Sequence, residues 1–187
     1  MKRIYILSVL CFNILLVGCY SGYDDNGRYV FLTIEDALTI ENQENYVVGD
    51  TIFFEVKFSR YLQEEGFDNL LDIYESTDAE EFRYSFGLGK FSNFSDDYEN
   101  INIASDYLLA EKGTVYRGFY NEAQAVLNTE KSQYESRIGI ILAETGNFRF
   151  DFGYLGIYSE SDYDNVSIEI QNSINPDTFK MDFSVTE

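Results

Sequence analysis

Residues 138–152 read Ile-Gly-Ile-Ile-Leu-Ala-Glu-Thr-Gly-Asn-Phe-Arg-Phe-Asp-Phe. The run from Ile138 to Leu142 is short, apolar and rich in β-branched side chains, which suit a pleated, buried surface. Phe148, Phe150 and Phe152 then alternate with Arg149 and Asp151. That period of two turns one greasy face to a core and one polar face to water. Between the runs, Glu144 to Asn147 supplies turn chemistry, and Gly146 can take backbone angles that a side chain forbids. A buried strand, a tight reversal and an amphipathic strand point to an all-β chain.

The same alternation recurs outward from this stretch. Val30, Leu32 and Ile34 alternate with Phe31 and Thr33, and Ile52, Phe54, Val56 and Phe58 with Phe53, Glu55 and Lys57. Phe82 to Leu88, Val166 to Ile170 and Phe179 to Val185 repeat it. Turn-forming clusters separate the runs at 46–50, 92–100, 144–147, 159–165 and 172–177. Shorter runs at 70–74, 115–120 and 138–142 are further strands. The spacing predicts an antiparallel β-sandwich of about 7–9 strands, with a closed barrel as the alternative. Residues 121–136 differ: Ala123, Val126, Leu127, Glu130 and Tyr134 sit at near-helical spacing. A short helix or an irregular crossover is expected there.

Glu144-Thr145-Gly146-Asn147-Phe148 resembles the acid-x-Gly-x-Tyr turn that joins two strands in immunoglobulin-like domains. Phe148 stands where those domains place Tyr, so no tyrosine corner can form, and Phe150 stands where antibody domains carry Cys. Val48-Gly49-Asp50-Thr51-Ile52 adds a Gly-Asp turn entering an alternating strand. The resemblance implies an immunoglobulin-like sandwich.

At the other end, Lys2 and Arg3 precede a mostly apolar run, Ile4 to Leu16, that is short for a membrane span. Leu16-Val17-Gly18-Cys19 follows and resembles the lipobox of bacterial lipoproteins. The resemblance implies cleavage before Cys19 and a lipid on its thiol. The chain then divides into a signal peptide (1–18), a polar tether (19–28) and a β-sandwich domain (29–187). The combination resembles small outer-membrane lipoproteins, some of which assist glycan uptake. Tyr20, rather than the Asp of the inner-membrane retention signal of some lipoproteins, follows the Cys, and Asp24-Asp25 resembles the acidic tags of surface-exported lipoproteins, so the resemblance implies the outer membrane. Periplasmic and surface-facing placements both stay open.

Composition excludes much chemistry. The chain has no His, and its two cysteines are Cys11, in the apolar run, and Cys19. Ser-His-Asp and Cys-His catalysis, His zinc sites and Cys-based metal sites are therefore excluded from the 29–187 domain. No Ser-x-x-Lys occurs either. The formal charge of −20 repels nucleic acid, so no nucleic-acid partner is expected.

Three side-chain groupings remain. Asp162, Asp164 and Asn165, preceded by Glu160, offer hard oxygens for a structural calcium ion, and Asp96 to Asn100 form a second such cluster. Neither has the EF-hand spacing, and Asp and Asn are also ordinary turn residues. Tyr154, Tyr158 and Tyr163 are candidate binding residues, because an aromatic face can stack on a sugar or anchor a protein; Tyr107, Tyr116 and Tyr120 belong to the same class, and core packing is the competing role. Paired carboxylates could hydrolyse a glycan without His, but with 33 acids no pair stands out. The expected function is a non-catalytic binding or accessory module for a glycan or a membrane-protein partner. A carboxylate-based glycan hydrolase and a structural or adhesive subunit are the alternatives.

Overall fold

The structure is a computed structural model that describes residues 28–43, 45–117, 121–152, 155–159, 164–171 and 179–187. The first half holds β1 (Tyr29–Glu35), β2 (Leu38–Glu41), β3 (Tyr46–Val47), β4 (Thr51–Ser59), β5 (Tyr61–Gln63), β6 (Leu70–Asp72) and helix α1 (Ile73–Thr77). The centre holds β7 (Glu81–Ser92), β8 (Asp97–Asn100), a 3₁₀ turn (Ser105–Tyr107), β9 (Leu108–Lys112), β10 (Thr114–Arg117) and β11 (Asn121–Asn128). The last part holds β12 (Gln133–Ile141), β13 (Gly146–Asp151), β14 (Gly156–Tyr158), β15 (Asn165–Gln171) and β16 (Lys180–Thr186). Eight of these strands are six residues or longer, in line with the seven to nine expected; the others are short edge or hairpin pieces.

The registers build an immunoglobulin-like antiparallel sandwich. One layer runs β2-β4-β12-β11, the ABED order of such domains. In the other, β7 pairs with β13 and then β14, while β16 pairs with β13 and β15 with β14. Two interrupted strands thus complete a CFG layer beside β7. The chain's first segment splits: β1 lies parallel to β15, β2 antiparallel to β4, and β3 parallel to β16. Asp36, with φ of 54°, turns the chain from one layer to the other. Because β11 also pairs with β7, the layers join into one curled sheet rather than two separate ones.

The alternation read in the sequence is the alternation of burial. Ile52, Phe54, Val56 and Phe58 are buried along β4, as are Phe82, Tyr84, Phe86 and Leu88 along β7. Phe54 is fully buried and meets Phe86, Phe150 and Phe152 with ring centroids 4.9, 5.8 and 5.1 Å away. Phe150 therefore joins the B and F strands by an aromatic pair at the place where antibody domains use a disulfide. The Glu144–Phe148 turn connects β12 to β13 across the layers. Gly146 takes φ of 147°, and a Cβ there would lie 2.9 Å from Lys90 Cε. Phe148 stacks on Phe183 at 5.6 Å.

Two expectations are corrected. Residues 121–136 form neither helix nor irregular crossover; they are β11, a turn, and the start of β12. Both strands are held by ladder partners, β11 between β7 and β10 and β12 between β4 and β9, and Ala123, Gln124 and Ala125 are all buried. Pairing on two sides outweighs the helical preference of Glu, Ala and Gln. The strand expected over 70–74 ends at Asp72 instead. There Oδ1 of Asp72 accepts from the backbone N–H of Tyr74 and Glu75, both at 3.1 Å, and starts α1.

Candidate binding face on the outer sheet

Inward packing of β1 decides what it shows to solvent. Val30 and Leu32 are 2% and 3% exposed, which forces Tyr29 and Phe31 outward, where they are 62% and 77% exposed. The next strand, β15, buries Val166, Ile168 and Ile170 and turns Asn165, Ser167 and Glu169 to the same outer face. On β14, Ile157 is buried and Tyr158 is 42% exposed.

The registers fix how these side chains stand together. Tyr29 is opposite Asn165, and Phe31 is opposite Ser167. Ser167 is opposite Tyr158, and Tyr158 is opposite Arg83 of β7. Phe31 and Tyr158 thus stand two strand spacings apart, about 9.6 Å at the backbone, with only the small Ser167 between them. The result is an aromatic platform with a polar floor on rigid strands. It can stack on the apolar face of a flat ring while Asn165, Ser167 and Glu169 bond to hydroxyl groups.

Of the residues singled out in the sequence, the structure brings Tyr158 and Asn165 to this one face. Asp164 docks the start of β1 on β15. Its Oδ1 accepts the Arg28 N–H at 3.2 Å, its own N–H donates to the Ser76 carbonyl at 3.3 Å, and the Asn165 N–H donates to the Arg28 carbonyl at 2.9 Å. Cys19, Tyr120, Tyr154, Glu160, Asp162 and Tyr163 lie outside the described residues, as does the rest of 1–27. The second acidic cluster is a hairpin strand, β8: Asp97 accepts from the Tyr98 N–H at 2.7 Å, and Glu99 from the Ser95 hydroxyl at 2.7 Å. Among the described residues no group of three or more His, Cys, Asp or Glu side chains is placed to hold a metal ion.

Tyr29 and Phe31 are the functional candidates that sequence reasoning missed. Their signal was present: an aromatic at the polar-phase position of an alternating strand, between Val30 and Leu32.

A second feature shares this outer face. Along β7, Ser85 and Gly87 face outward in the same phase as Arg83, while Gly89, in that phase too, is buried against Tyr98. Beyond Gly87 a polar pocket of about 160 Å³ opens between β8, β13 and β16. Arg149 makes a bidentate pair with Asp182 at 2.5 and 2.8 Å, and Lys180 pairs with Asp151 at 3.1 Å. The Arg149 guanidinium also lies 4.0 Å from the Tyr98 ring centroid. Hydrogen bonding to Arg149 holds the Asp182 carboxyl below its usual range, and the same bond raises Arg149. An apolar cleft of about 210 Å³ lies elsewhere, between Leu88, Ile103, Leu142 and Phe148 at the edge of the core, with one carboxylate, Glu144, at its rim.

No protein-family model matches the chain, and no curated protein matches it. Among solved structures it is similar to the ASH/PapD-like domain of human CEP192 (PapD-like domain 7), at 9% identity and a TM-score of 0.31, over 73% of this chain and 83% of that one. The fold described here rests on the strand registers.

Proposed function

We propose that the protein is a non-catalytic binding module, held at the outer membrane by a lipid on Cys19, and that it binds a neutral glycan on its outer sheet face. One observation carries the glycan reading: Phe31, 77% exposed, stands across Ser167 from the exposed Tyr158. Large apolar rings shown to water on rigid strands mark a surface that meets a partner. The polar floor between them suits hydroxyl groups better than the apolar core of a protein interface. The lipobox Leu16-Val17-Gly18-Cys19 supports the anchor.

The test is an array of neutral and charged glycans probed with detergent-solubilised full-length protein. The wild type should bind, and a Phe31→Ala/Tyr158→Ala double variant should lose at least tenfold in affinity with no loss of fold. Silence across the array, together with capture of one stoichiometric membrane protein through these rings, would replace the glycan with a protein partner. Membrane fractionation tests the anchor: Cys19→Ala should release the protein, and retention would refute lipidation there.

A further inference from the structure

We propose that the β5–β6 hairpin is the membrane-facing end of the domain, and that Tyr61, Phe67 and Leu70 rest on the interface of a zwitterionic phospholipid bilayer. This rests on the lipid anchor at Cys19 and stands apart from the glycan reading.

The apolar face follows from strand phase. Leu62 is buried, and its cross-strand partner Leu71 packs against the core. That turns Tyr61 and Leu70 outward, where they are 42% and 57% exposed. Phe67, 55% exposed, closes the turn at the tip, where its N–H donates to the Glu64 carbonyl at 3.2 Å. The base of the hairpin is held in place. Arg60 Nε donates to Asp72 Oδ1 at 2.6 Å, and the guanidinium lies 5.5 and 4.9 Å from the Tyr61 and Tyr74 ring centroids. Large apolar side chains shown to water on a held hairpin mark a contact surface.

The position of the anchor selects the bilayer as what they contact. Arg28 pairs with Glu64, and its guanidinium lies 5.4 Å from the Phe67 ring centroid. The segment that leads back to Cys19 therefore leaves from the hairpin tip. Cys19 precedes Arg28 by nine positions, a reach of at most about 30 Å. The registers put Arg28 and the hairpin at the same end of the sandwich. Phe31 is level with Arg83 through Ser167 and Tyr158, so Tyr29 is level with Glu81 at the start of β7. Lys57, just before the hairpin, is level with Glu81 through Glu135 and Val126. Phe94, also fully exposed, lies past the other end of β7. The 12 residues of β7 span about 40 Å. A domain resting on Phe94 with β7 upright would hold Arg28 beyond the reach of its anchor, whereas the hairpin lies well within it.

The charges select the headgroup. Glu64 and Asp72 are paired with Arg28 and Arg60, while Glu65 and Asp68, on either side of Phe67, are exposed. Two carboxylates at the tip repel anionic headgroups and attract the ammonium groups of zwitterionic ones. Tyr61, with an apolar ring and a polar hydroxyl, suits the headgroup level. The contact is a shallow seat on the surface, not a crossing.

The chain has no Trp, so one introduced Trp reports alone. Full-length, lipidated Phe67→Trp and Phe94→Trp proteins are placed in phosphatidylcholine vesicles brominated near the headgroup end of the acyl chains. Both variants carry the same ring, so a difference between them reads placement. Emission from Phe67→Trp should shift to the blue and be quenched at least twofold, and that from Phe94→Trp should stay unquenched. Adding Leu70→Asp to Phe67→Trp should remove at least half of the quenching while the protein still floats with the vesicles. Protein that floats, yet is quenched no more at position 67 than at position 94, would overturn the hairpin seat and leave the anchor standing. A blue shift at position 67 in native membranes, without quenching in the vesicles, would assign the hairpin to a membrane-protein partner and overturn the bilayer contact. Protein that does not float would overturn the anchor and the seat together.

Discussion

Replacing Glu135 by Gln should remove a charge-dependent part of the stability that can be read against pH. Glu135 lies on β12 and reaches three neighbours: Lys112 Nζ at 2.8 Å, Asn128 Nδ2 at 2.9 Å and Gln133 Nε2 at 3.1 Å. It thereby ties β12 to both β9 and β11. The Lys112 hydrogen bond is the largest influence and Asn128 the next, and together they lower the carboxyl from 4.5 to about 2. Each unit is worth about 1.4 kcal/mol, so the ceiling is about 3 kcal/mol. Glu135 itself is buried, but the Lys112 side chain is 38% exposed, and solvent screening of the pair reduces that to about 1–2 kcal/mol. Between pH 2 and 4.5 the unfolded chain binds the proton that the folded one refuses, so stability rises with pH there. The contribution is complete above about pH 5 and fades as pH falls towards 2. Urea unfolding of wild type and Glu135→Gln at pH 7 and pH 3 measures it. The variant should be about 1–2 kcal/mol less stable at pH 7, and the gap should shrink to less than half at pH 3. Asp72 and Asp182 are also depressed, so the wild type keeps losing stability in acid for other reasons, and only the gap between the two proteins is diagnostic. An unchanged gap at both pH values would show that Glu135 works through shape and neutral hydrogen bonds, not charge.

Other perturbations address the frame. Phe54→Ala removes the ring that meets both layers and should cost about 3–5 kcal/mol in the same unfolding experiment; a cost under 1 kcal/mol would mean the layers are not joined there. Gly113→Ala should cost at least about 2 kcal/mol, because φ is +73° and the new Cβ would lie 2.1 Å from the Gln124 carbonyl oxygen. Asp72→Ala should lower the unfolding free energy by about 1–2 kcal/mol, since it removes the cap of α1 and the partner of Arg60. Asp72→Asn should recover much of the cap but not the ion pair.

The long alternating strands were legible because burial on one face leaves a period of two in the residues themselves. β4, β7, β13 and β15 all show it, and so does the Gly146 turn, whose geometry needs glycine. What stayed hidden was set by partners. Residues 121–128 carry helix-favouring side chains, and only β7, β10 and β12 on either side make them a strand. Asp72 caps a helix that five residues could not announce by periodicity. The platform is half visible in the sequence: Tyr158 stands out as a loop-end tyrosine, while Phe31 shows only as the outward member of an alternating pair. Nothing in the linear sequence shows that β1 lies two strands from β14.

The most direct test of the binding face places a photo-crosslinking benzoylphenylalanine at position 31 of the full-length protein in its native membranes, with position 94 as control. Phe94 is fully exposed and lies in the turn between β7 and β8, before the pocket strand. A carbohydrate-staining adduct is expected from position 31, competed by soluble oligosaccharide and resistant to protease, with little from position 94. A discrete protein adduct from position 31, sensitive to protease and indifferent to oligosaccharide, would contradict it.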